Sequence, residues 1–171
     1  MKRMMILLAV LLAGCSFSQL CESYDPTFDT IPTMGFTTPE EVGQWNHENI
    51  TWTDDPSGYF QSPEETYGSL TGDCEDYVAL MMYFVHKELG GFPIMVCGIV
   101  GEGTTANHVW MEYDGRWYES EYGTDVTDNP YYHETFSLEY GEAMLRSVTV
   151  HRSIEIGPEK MCLQFMDGGV L

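Results

Sequence analysis

An apolar run from Met4 to Ala13 opens the chain, and no sustained period follows it from Ser16 to Pro39. A helix is expected from Thr38-Pro39-Glu40-Glu41, with Thr38 as N-cap, Pro39 at the first helical position and Glu41 completing a capping box. Ser62-Pro63-Glu64-Glu65 repeats that signature. The strongest helical period runs from Asp73-Cys74 to about Leu89. Cys74, Tyr77, Val78, Met81, Val85 and Leu89 share one stripe, which Leu80 and Phe84 widen. Gly90-Gly91 ends it, as residues that tolerate left-handed geometry do past a helix C-terminus. Phe92 to Val100 reads as a buried strand, and Asn107–Tyr113 with Arg116–Tyr122 as a hairpin across the Asp114-Gly115 turn. Beyond the hairpin, Pro130 to Arg146 is expected to include a helix. Ser147 to Ile156 alternates like a strand, and Met161 to Phe165 is a weaker strand candidate. A helix followed by an antiparallel sheet is an α+β order.

Composition changes where this chain is expected to live. Its 171 residues are one domain's worth, and 43% hydrophobic and 13% aromatic residues can supply one core. Its net charge is −20, from 27 acids against 7 Lys and Arg. That excludes nucleic acid as a partner and electrostatic attachment to anionic lipid, both of which need clustered cations. Met1-Lys2-Arg3 followed by the apolar run has the layout of an export signal, and the run is shorter than the roughly 20 residues that span a bilayer. Leu12-Ala13-Gly14-Cys15 resembles the lipobox of prokaryotic lipoproteins, which implies that residues 1–14 are removed and Cys15 carries lipid. Removal takes away Lys2 and Arg3 and no acid, so the charge deepens to −22. Residues 15–39 then read as a tether with local packing through Phe28 and Phe36, and residues 40–171 as the domain. The expectation is an exported monomer, lipid-anchored to the cell membrane or outer envelope and facing outward or the periplasm.

The chemistry centres on Cys74. At a helix start, free backbone N–H groups and the helix dipole favour a thiolate and can hold an oxyanion. The flanking Asp73, Glu75 and Asp76 oppose the thiolate, so a cationic partner is needed. A two-residue turn at Asp114-Gly115 sets His108 directly opposite Glu121 and Trp110 opposite Glu119, with Glu119 one diagonal from His108 on the same face. A carboxylate across the ladder holds the imidazole in one tautomer and stabilises its cation, as a Cys–His pair requires. Taken alone, Cys74 reads as well as a buried structural cysteine, and His108 as a satisfied sheet histidine. Cys97 reads as buried, and Cys21 and Cys162 as the only plausible disulfide partners. His47, His86, His133 and His151 join no constellation, and no zinc spacing is visible.

Gly72-Asp73-Cys74-Glu75-Asp76-Tyr77, then His108-Val109-Trp110-Met111-Glu112 and Gly115-Arg116-Trp117-Tyr118, resemble the transglutaminase-like superfamily. With Ser62-Pro63-Glu64-Glu65 upstream, the chain is most similar to the bacterial transglutaminase-like cysteine proteinases. The resemblance spans Tyr59 to Gly123. It implies a papain-like α+β core with the catalytic helix packed on an antiparallel sheet, Cys74 as nucleophile and His108 as general base and acid. The family's acid falls on Glu121, where Glu replaces the usual Asp, and Glu119 is the alternative. It also implies an upstream side chain that supports the oxyanion, for which Gln61, Trp52 and Trp45 are candidates. No cofactor is required. Some adhesin-clipping members bind calcium through positions that match Asp73 and Glu75 here; otherwise Asp73 caps the helix and Glu75 occupies its first turn. Trp110 and Trp117 pack the hairpin and are candidate walls of a substrate groove. The function implied is hydrolysis or acyl transfer at peptide or side-chain amides through a thioester, with proteolysis favoured. The alternative is a non-enzymatic peptide- or cell-wall-binding module on the same fold, which the Glu in place of Asp supports.

Overall fold

The computed structural model describes residues 25–28, 30–54, 59–101 and 106–149. The signal, Cys15, Cys21, Cys162 and the strand candidate at 161–165 lie outside the described residues.

Helix α1 spans Pro39–Asn49 and starts as its sequence dictates. The Thr38 hydroxyl accepts the Glu41 N–H at 3.3 Å. The Glu41 carboxylate reaches back one residue further than a capping box, to the Thr37 N–H at 2.7 Å and its hydroxyl at 2.9 Å. Strand β1 (Thr51–Trp52) follows. Helix α2 (Pro63–Ser69) carries the full capping box: Glu65 N–H donates to Ser62 Oγ, and Ser62 N–H to the Glu65 carboxylate. Strand β2 (Thr71–Gly72) pairs in parallel with β1, setting Trp52 beside Gly72. Helix α3 (Cys74–Phe84) widens into a π-helical turn at Val85–Leu89 before Gly90.

Every residue of α3 from Glu75 to Phe84 is buried, so the helix runs through the core instead of lying on it. It packs on the sheet through strands β3 (Ile94–Val100) and β4 (Ala106–Tyr113), and against α1 and α2. The remaining elements are β5 (Arg116–Tyr118), β6 (Tyr132–Glu139) and helix α4 (Tyr140–Thr149). The sheet is antiparallel in the order β5-β4-β3-β6. The architecture is therefore α+β. No helix among the described residues is long and apolar enough to cross a membrane.

The hairpin has the expected register, with Met111 opposite Tyr118 and Tyr113 opposite Arg116. Asp114 and Gly115 both have positive φ, 52° and 72°, as a primed two-residue turn requires. Two expectations change. The Pro130–Arg146 region begins as strand β6, and its helix starts only at Tyr140. Residues 147–149 continue that helix where a strand was expected, because Ala143, Met144 and Ser147 bury a helical stripe. The segment read as a tether is packed from Phe28 onward: Phe28 and Ile31 are buried, and Phe36 meets Trp45 and Phe84 edge-on.

Candidate active site

Alternation along β4 divides the sheet. Val109 and Met111 join the core that α3 fills, while His108 and Trp110 take the intervening positions on the other face. Gly98 of β3 pairs with His108, and a Cβ at Gly98 would lie 2.1 Å from the His133 carbonyl oxygen and 2.5 Å from the Trp110 ring, so the glycine lets both the β6 backbone and the indole approach. Trp110 is fully buried, with Trp117 at 5.4 Å and Tyr132 edge-on at 5.2 Å between ring centroids. It therefore packs the sheet and walls no groove. Trp117 is half-buried, and its indole N–H donates to Glu112 at 3.1 Å.

The carboxylate that meets His108 is Glu119: Nε2 lies 2.7 Å from Glu119 Oε2. Glu121, the acid expected from the register, does not reach the ring, because the ladder stops at Tyr118. Beyond it the chain turns, with Glu119 N–H donating to Thr124 O and Gly123 N–H to Glu119 O. Two contacts from α1 hold this turn. Buried Asn46 donates through Nδ2 to Ser120 O at 3.0 Å and to Tyr77 O at 3.3 Å, tying the turn to α3. Gly43 lies against Gly123 so closely that a Cβ at Gly43 would come within 2.1 Å of the Gly123 nitrogen. Sequence reasoning missed Asn46 as a support of the site. It also missed Tyr132, whose hydroxyl donates to Glu119 Oε2 at 2.9 Å.

A carboxylate only accepts, so the neutral imidazole carries its hydrogen on Nε2 and leaves the Nδ1 lone pair free. Burial alone would raise the Glu119 carboxyl. The hydrogen bond and charge of His108, with the Tyr132 hydroxyl, outweigh it and hold the group below the usual carboxylate range.

Cys74 stands at the start of α3, half-buried, and its thiol donates to Glu75 Oε2 at 3.3 Å. No hydrogen bond joins it to His108. Burial, then the Glu75 and Asp73 charges, push the thiol well above its ordinary range. Glu75 is fully buried, and burial with the neighbouring Asp73 pushes its carboxyl well up too. Asp76 is turned away from this group: its carboxylate accepts the Gln61 N–H at 2.7 Å, Gln61 Nε2 at 3.0 Å and the Asp73 N–H at 3.2 Å. Calcium takes about six to eight oxygen ligands. Among the described residues no group of three or more His, Cys, Asp or Glu is arranged to hold a metal ion. Asp73 and Glu75 alone do not fit one.

Of the oxyanion candidates, Gln61 spends both amide hydrogens on Thr71 O and Asp76. Trp45 stacks on Tyr67 at 5.8 Å inside the helical layer. Trp52 is 47% exposed beside Gly72, two residues before Cys74, with its ring over Tyr77 at 5.9 Å.

Compared with known proteins, the chain matches no family model and no curated protein. Among solved structures it is similar to LapG of Legionella pneumophila. The two are 17% identical with a TM-score of 0.47, over 58% of this chain and 62% of that one. The match thus spans less than two thirds of the LapG chain, and at this identity it is a likeness of fold alone.

Proposed function

We propose that this protein is a cysteine hydrolase or acyltransferase acting on peptide or side-chain amides, with proteolysis favoured, and that it is held at the envelope by lipid on Cys15. The observation that carries the reading is half-buried His108, on a strand packed against the helix that Cys74 begins, bonded to the buried carboxylate of Glu119. In this reading the thiol leaves Glu75 and passes its proton to Nδ1 of His108. The thiolate attacks the amide carbonyl carbon, the C–N bond breaks, and the amine departs with the proton from His108. The acyl group stays on Cys74 as a thioester. Water, deprotonated by His108, then releases the acid and restores the thiol, and an amine in its place gives a cross-link. Glu119 balances the imidazolium charge throughout. The exposed indole of Trp52 is the free upstream donor beside Gly72.

A second reading, a non-enzymatic binding module, is favoured by one observation. The thiol is bonded to an acid and not to the imidazole, in surroundings that keep it protonated. Iodoacetamide separates the two when the rate at Cys74 is followed by mass spectrometry from pH 5 to 10. The hydrolase reading expects alkylation below pH 7 to exceed that of a free cysteine peptide by at least about tenfold, and to lose the excess in His108→Ala. A rate that rises only above the ordinary thiol range, unchanged by His108→Ala, would sink it.

A further inference from the structure

Strand β6 contains a bulge opposite the Cys97/Gly98 step of β3. Cys97 pairs with Phe136, Gly98 pairs with Glu134, and Thr135 is left over. A residue inserted into one strand reverses the faces of everything beyond it. On one side of the bulge Phe136 and Leu138 point into the core with Cys97 and Met95. On the other side Tyr132 is carried to the opposite face, the face of His108 and Trp110. There its ring stands edge-on to Trp110, 6.4 Å from the imidazole, and its hydroxyl reaches the same carboxylate oxygen that His108 holds.

We infer that Tyr132 is a positioning residue for the candidate triad. The bulge in β6 aims its hydroxyl at Glu119, so that the carboxylate is fixed from two sides and presents Oε2 to Nε2 of His108. The inference rests on the function proposed above. Glu119 has only a short purchase of its own, because it lies in a turn past the end of β5 and not in the ladder. Of the groups facing it, His108 comes from β4 and Tyr132 from β6, while Glu121 and Tyr122 lie in its own turn. Tyr132 therefore supplies the one hydroxyl that donates to that carboxylate among the described residues. Its hydroxyl bonds to Glu119 and not to the thiol, and it acts through Glu119.

The test uses the full chain and the variant Tyr132→Phe, which keeps the ring and its packing on Trp110. Two quantities are read: the carboxyl 13C titration of Glu119, and the pH profile of iodoacetamide alkylation at Cys74. In Tyr132→Phe the Glu119 acid constant is expected to fall by at least about threefold, because a hydrogen bond favouring the ionised form is gone. The lower edge of the alkylation profile moves up with it. The rate near pH 5 drops about threefold while that above pH 9 is unchanged, a pH-selective loss that lost packing does not produce. An unshifted Glu119 titration, or superimposable alkylation profiles, overturns the proposal. If wild-type Cys74 shows no reactivity below pH 7, the triad reading itself fails and the positioning role with it. The Glu119 titration then separates that failure from a missing Tyr132 bond. Glu119→Gln serves as the control and is expected to abolish the low-pH reactivity outright.

Discussion

Glu75 is a carboxyl with no exposure, one oxygen bonded to the Cys74 thiol, and the Asp73 carboxylate stands beside it. Its folded-state pKa lies above the unfolded one, so the stability linked to it is complete below the ordinary carboxylate range and is lost as pH rises through the folded value. Glu75→Gln keeps the shape and removes the titration. Its stability relative to wild type in urea unfolding is therefore expected to grow as pH rises from about 5 to about 7.5. A difference that stays flat with pH would mean that the protein accommodates the charge. At this scale the sequence was informative about residue types and less so about geometry. Cys74, His108 and two candidate acids could be read from motif and turn. The choice of Glu119 over Glu121 depended on where β5 stops, which local preference does not decide. Trp110 was an equally apolar position for a wall or for a core, and the absent Cβ of Gly98 made it core.

Helix boundaries and the hairpin register were legible because they are local: Thr38 and Ser62 cap, Gly90 stops, and Asp114-Gly115 turns. The turn after β5 is set instead by α1, more than seventy residues earlier in the chain, through Asn46 and the Gly43–Gly123 approach. Strand β6 was missed for a related reason. Its clean alternation covers only Phe136 to Glu139 before the bulge breaks the phase. Gly43→Ala tests the link between α1 and the site. In an exposed helix interior that change would stabilise by about 1 kcal/mol. Here the added methyl meets backbone that cannot swing aside, so a loss of about 1–3 kcal/mol is expected. The turn carrying Glu119 should also lift off α1, and the reactivity of Cys74 below pH 7 should fall with it. A Gly43→Ala protein that melts higher than wild type and alkylates normally would show that the close approach does not hold the turn.

At the scale of the whole molecule, the charge of −20 confines attachment to means other than cation–phosphate contact. If lipid on Cys15 is that means, the chain between it and the domain is short. The segment from Phe28 to Phe36 is packed: Phe28 meets Tyr83 edge-on at 5.1 Å and the Thr30 hydroxyl donates to Glu64. Its strongest fastening is Glu88, in the π-helical turn that ends α3. One carboxylate accepts the N–H groups of Met34, Gly35 and Phe36 at 2.7, 2.6 and 2.7 Å. Charge-assisted bonds of this kind are worth about 1.5–3 kcal/mol each at most in buried settings, and less where water competes, as at this half-buried edge. Glu88→Gln retains one acceptor oxygen and loses the charge. It is expected to cost about 1–2 kcal/mol and to make residues 28–37 the first site of limited proteolysis, before any cut in α3. His108 on β4 and Glu119 in the turn after β5 lie apart from this segment, so Glu119 should titrate in the variant as in wild type. If Glu88→Gln shifted that titration too, the segment would have to be counted as part of the framework that holds the His108–Glu119 pair.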